Sequence, residues 1–136
     1  MRLVSVSLIV VVALTGTACG NKTTGSDLKE VQRVHSGDLD VVLLSSDGKL
    51  THGKDAATLE FRRGNKLVDV GAVKVGAAMV MAGMPPMLGS VFLEKGDAPG
   101  RYKADTDLSM SGGWQFKLEW DGPAGRGSAT MQATAE

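Results

Sequence analysis

The strongest constraint on the fold is a strict two-residue alternation near the end of the chain. In Trp114-Gln115-Phe116-Lys117-Leu118-Glu119-Trp120 every even position is large and apolar and every odd one is polar. Successive side chains of a strand point to opposite faces, so this segment has one buried face and one wet face. Both tryptophans lie on the buried face and are expected in a core, not at a ligand. Related patterns predict strands over 39–45, 57–61 (odd positions inward), 72–79, 90–94, 102–108 and 127–133. Turn dipeptides separate them: Asp47-Gly48, Gly64-Asn65, Gly96-Asp97, Gly112-Gly113, and Asp121-Gly122 followed by Pro123. Seven short strands with this punctuation predict an all-β, immunoglobulin-like sandwich. No helical period follows the first residues, and no internal repeat is present.

The N-terminus carries a different signal. Met1-Arg2 precedes an apolar run from Leu3 to Leu14, and small residues follow it. A basic start, a short apolar stretch and small residues make a secretory signal peptide, too short for a comfortable permanent span. The run ends Leu14-Thr15-Gly16-Thr17-Ala18-Cys19-Gly20, and Cys19 is the sole cysteine. Small residues before a cysteine resemble the bacterial lipoprotein processing box, with Gly16 where an aliphatic residue is usual. Residues 1–18 are therefore expected to be removed and Cys19 to be acylated. The lipid would tether the chain to the cell membrane or outer membrane, with the domain in the periplasm or otherwise outside the cytoplasm. Residues 19–37 are polar and charged and read as a flexible stem; 38–136 read as the domain.

Composition narrows the functional classes. The chain has 15 basic and 15 acidic residues, and losing Arg2 with the signal leaves 14 against 15. Such a balance gives no electrostatic footprint for nucleic acid or for an anionic membrane surface. Only two histidines occur, His35 in the stem and His52. The sequence contains no nucleophile elbow, phosphate loop, His-Glu-x-x-His or Cys-x-x-Cys motif, so no enzyme is expected. Asp105 and Asp107 fall on the wet face of an alternating strand and read as solvated surface.

One segment stands apart: Met79-Val80-Met81-Ala82-Gly83-Met84-Pro85-Pro86-Met87. A thioether is a soft, uncharged ligand that suits Cu(I). The Pro85-Pro86 pair would stiffen the spacing between Met84 and Met87. Methionine is also an adaptable core filler. By parity, Met79 and Met131 read as core. Met84 and Met87 read equally as plugs for the sandwich or as metal ligands. In an immunoglobulin-like sandwich the first-to-second, third-to-fourth and fifth-to-sixth connections share an end. Here they carry His52, then Met81, Met84 and Met87, then Met110, so one histidine and several thioethers are expected together.

Three segments carry a family resemblance. Met79 to Met87, then Gly100-Arg101-Tyr102-Lys103-Ala104, then Leu108-Ser109-Met110-Ser111-Gly112-Gly113-Trp114 together resemble the YtkA-like domain, which is related to FixH-type proteins. The resemblance covers roughly residues 38 to 134. It implies a small exported or tethered β-sandwich in a metal-related, non-enzymatic role, with Met84, Met87 and Met110 at the family's methionine positions. It further implies a heavy-metal efflux or oxidase-assembly protein as partner. The sequence has no transmembrane helix of the kind FixH carries. Two functional expectations follow: a copper accessory or chaperone with Met84, Met87, Met110, Met81 and His52 as candidate ligands, or a protein-interaction module of the envelope that binds no metal. A purely structural lipoprotein is the third.

Overall fold

The computed structural model describes residues 27–136. The expected signal peptide, Cys19 and the first part of the expected stem lie outside the described residues. Nine strands form in chain order: β1 (Lys29–Ser36), β2 (Leu39–Ser45), β3 (Gly53–Arg63), β4 (Lys66–Leu67), β5 (Ala72–Met79), β6 (Met87–Lys95), β7 (Arg101–Leu108), β8 (Gly112–Gly122) and β9 (Gly125–Ala135). Every strand pair is antiparallel, and no helix occurs among the described residues.

The strands follow the path β1-β2-β3-β7-β6-β5-β8-β9, with β4 paired to the far end of β3. β2-β3-β7-β6 and β5-β8-β9 are the two layers of an immunoglobulin-like sandwich. β6 joins them. Met87–Gly89 pair with β5, whereas Ser90–Lys95 pair with β7. On the other side the Ser36 hydroxyl donates to the Ser128 carbonyl at 2.8 Å, bringing β1 against β9 and almost closing the sheet into a barrel.

The core follows from the alternation. Trp114, Phe116, Leu118 and Trp120 are all buried, as are Leu39, Val41 and Leu43 of β2, Leu59 and Phe61 of β3, and Tyr102, Ala104 and Leu108 of β7. Phe61 packs edge-on against Trp120 and Tyr102, with ring centres 5.1 and 5.7 Å away. Edge-to-face contact sets the positive rim of one ring against the negative face of the next. Met79 and Met131 are core residues, as their parity predicts.

Several elements differ from the expectation, and β3 starts four residues early, at Gly53. The stem expected over 19–37 contains β1, so the sandwich begins at Lys29 rather than at residue 38. Val31 and Val34 of β1 pack against the core. A bulge between Glu30 and Gln32 breaks the two-residue period, and this hides the strand in the sequence. His35 is therefore a strand residue, bonded through Nδ1 to Asp40. The short strand β4 was not expected either. Finally, β6 starts at Met87, three residues before the expected strand.

Candidate functional site

Three connections meet at one end of the sandwich. Gly53 opens β3 opposite Leu108, the last residue of β7. Met79 closes β5 opposite Met87, the first residue of β6. Gly112 opens β8 opposite Ala135, near the end of β9. The β2–β3, β5–β6 and β7–β8 connections therefore share this end, and with them His52, Met81, Met84, Met87 and Met110.

The β5–β6 turn is shaped by its glycine. The Met84 N–H donates to the Met81 carbonyl at 3.2 Å, and Gly83, with φ of 77°, takes the third position of that turn. A positive φ there is the type II signature, and glycine meets it without a Cβ clash. The turn leaves Met84 at its tip, 58% exposed. Met81 and Met87 are half-buried and pack against the core. The β7–β8 turn is fixed from below: the buried Trp114 indole N–H donates to the Met110 carbonyl at 3.0 Å. Met110 itself is 38% exposed. Ser90 lies opposite Asp107, next to the last residue of β7, so the start of β6 lies beside the β7–β8 turn.

His52 is held elsewhere. Its main-chain N–H and its ring Nδ1 both bond the main-chain oxygen of Glu136, at 2.9 and 2.8 Å. That oxygen only accepts, so Nδ1 is the donor. The Glu136 N–H donates to Leu50, tying the β2–β3 connection to β9. β5 pairs with β6, β8 pairs with β9, and the β2–β3 connection is tied to the end of β9. The structure thus groups Met81, Met84 and Met87 in and beside the β5–β6 turn and puts Met110 in the β7–β8 turn at the same end. His52 is held apart from them by its bonds to Glu136.

Two of the three connections are free of charge as well as soft. Residues 80–86 and 109–111 contain no acidic or basic side chain. Among the described residues no group of three or more His, Cys, Asp or Glu side chains could hold a metal ion. The donor set gathered here is one of thioethers with a single imidazole nearby. A groove of about 860 Å³ beside the rim, lined by Gln32, Lys49, Gln115 and Gln132 among others, takes in none of the five candidate ligands. Thioethers on a surface turn do not need a cavity to reach an ion.

The sequence reading missed a feature of the same hairpin. Among the described residues the exposed large apolar side chains are Val80, Met84, Leu88, Phe92 and Met110, and four of these five belong to β6 or to the turn before it. Leu88 and Phe92 share the outward parity of β6. Apolar residues stand at both parities of Met87–Lys95, so no alternation marks which face is wet. The pairing with β7 was the needed signal, because it sets Phe92 opposite outward-facing Asp105.

No significant match occurs among curated proteins or among solved structures. The YtkA-like family model matches residues 33–119. That span runs from β1 into β8, covers well over half of the chain and takes in all five candidate ligands. The chain belongs to the YtkA-like family.

Proposed function

We propose that this chain is an extracytoplasmic accessory protein, tethered through Cys19, that holds Cu(I) on the methionine rim and hands it on. Met84, Met87 and Met110 serve as thioether ligands, and Met81 completes the set in preference to His52. The carrying observation is that these methionines, far apart in sequence, come from two connections sharing one end of the sandwich. The donor chemistry fits the ion: thioethers are soft, and the two uncharged connections that carry them neither attract hard cations nor repel a monovalent one. Bound there, Cu(I) would be shielded from reaction while remaining near the surface for transfer. The role is non-enzymatic, and FixH-type kinship suggests an oxidase-assembly or metal-efflux protein as recipient.

Anaerobic Cu(I) titration against a competing chelator tests the reading. The expected result is one tight site, weakened by about a hundredfold in Met84→Leu/Met87→Leu, with stability changed by less than about 1.5 kcal/mol because leucine conserves volume. Unchanged affinity in that double variant ends the copper proposal. His52→Ala separates the two candidate fourth ligands, and it is expected to leave affinity unchanged.

A second reading is favoured by a separate observation. The exposed Val80, Met84, Leu88 and Phe92 make the hairpin a soft apolar contact surface. In this reading the hairpin binds an envelope protein without metal. Binding of a purified partner that persists in excess chelator would favour it over the copper reading.

A further inference from the structure

The six methionines among the described residues form three levels of burial. Met79 and Met131 are sealed in the core at 4% and 2% exposure. Met81 and Met87 are half-buried against it. Met84 and Met110 stand open at 58% and 38%. The open pair are also candidate ligands, and both lie in uncharged turns that the backbone holds in place. The Met84 amide closes its own turn and the Met110 carbonyl is held by Trp114. Neither residue belongs to the core cluster.

We propose that Met84 and Met110 form a reversible oxidation switch on this rim, a proposal that rests on the copper reading above. The oxidant is a peroxide. One oxygen atom passes to the thioether sulfur, an S–O bond forms and the O–O bond breaks. Sulfur loses two electrons, and the peroxide leaves as water or as an alcohol. A dithiol reductase reverses the change, forming one disulfide and one water per sulfoxide.

The consequence differs by level. A sulfoxide is polar, so in the core it would disrupt packing; at Met84 and Met110 it meets solvent and the fold is kept. For the metal the change is decisive. One of the two sulfur lone pairs becomes the bond to oxygen, the one left sits on an electron-poor sulfur and donates weakly, and the new oxygen is a hard donor that suits Cu(I) poorly. Oxidation therefore releases the ion from an intact domain.

The test uses the full chain and dilute hydrogen peroxide. Peptide mass mapping of the metal-free protein is expected to show sulfoxide at Met84 and Met110 at least about tenfold faster than at Met79 and Met131, with the circular dichroism spectrum kept. Cu(I) affinity of that oxidised protein is expected to fall by about tenfold or more and to return after reductase treatment. Oxidation of the core pair at the same rate, or unfolding at the first sulfoxide, overturns the switch. Oxidised protein that keeps its Cu(I) affinity overturns the switch and leaves the copper reading standing. Reduced protein that never binds Cu(I) overturns both.

Discussion

At the end of the sandwich where β3 stops and β7 starts, backbone lies directly on backbone. A Cβ on Gly100 would fall 2.4 Å from the Val68 carbonyl oxygen, and one on Gly122 would fall 2.3 Å from that of Val70. The Tyr102 hydroxyl donates to the Gly71 carbonyl at 2.5 Å, and Val70 is fully buried. Ion pairs reinforce this end: Arg62 and Arg101 share buried Glu60, Arg101 reaches Asp97, Arg63 meets Asp38, and Arg126 meets Asp121. At the opposite end two of the three connections are free of charge and expose methionine, valine and proline. One end is braced by close packing and charge. The other leaves soft apolar groups uncovered, and such groups are kept where something must bind. The braced end and the proposed binding end are thus separated along the strand axis, and substitutions can test that separation.

The largest effect is expected at Gly100. It has φ of 84°, where an L side chain is strained, and an added methyl would also collide with Val68. Gly100→Ala should cost about 3 kcal/mol, read as a lowered urea midpoint. Cu(I) affinity of the folded fraction should be unchanged. A joint loss of both would show that the two ends are coupled.

Glu60 comes next. Its side chain is fully buried on the outer face of the sheet, beneath Arg62 at 2.6 Å and Arg101 at 2.8 Å. Removing one partner of a buried pair leaves charge uncompensated, but the arginines retain some solvent contact. Glu60→Ala should therefore cost about 2 kcal/mol in thermal or chemical denaturation, below the upper range for sealed pairs. A neutral outcome would mean that the arginine stems alone cover Val42 beside it.

Acid should separate the ends further. The Arg101 hydrogen bond and charge hold the Asp97 carboxyl below its ordinary value. A lowered folded pKa means that the contribution is present above the unfolded value and is lost as pH falls through the folded one. Stability should decline below about pH 4, and less steeply in Asp97→Asn. Thioethers bind no proton in this range, so Cu(I) affinity measured between pH 5 and pH 8 should stay flat. A decline on acidification would bring an imidazole, His52, into the ligand set.

What the sequence disclosed follows physical rules of unequal strength. The period of two in β8 and β7 is enforced by a buried face, so Trp114 to Trp120 and Tyr102 to Leu108 could be placed and oriented directly. The shared end of the three connections followed from strand count and topology alone. β1 did not disclose itself, because its bulge interrupts the period and it buries only Val31 and Val34, partly. Glu60 was assigned the outward parity correctly, yet its burial depends on arginines at positions 62 and 101, the second of which comes close only through pairing of β3 with β7. The place of His52 depends on a tie to Glu136, which lies 84 residues away in sequence.

The smallest change in stability is expected where the apolar exposure is greatest. Leu88 is 79% exposed and Phe92 is 70% exposed. Side chains so exposed have gained little from burial, so Leu88→Ser/Phe92→Ser should move stability by no more than about 0.5 kcal/mol. Binding of a hydrophobic dye and self-association at high concentration should both decrease. Cu(I) affinity should hold, because neither residue offers a donor atom. This variant tests the comparison more sharply than the larger ones do. A loss above about 1.5 kcal/mol would mean that the hairpin is covered in the folded protein, by its own chain or by a second copy, and that its apolar face belongs to stability after all. An unchanged fold with weakened partner binding would instead place recognition on β6, beside the methionines proposed to carry the ion.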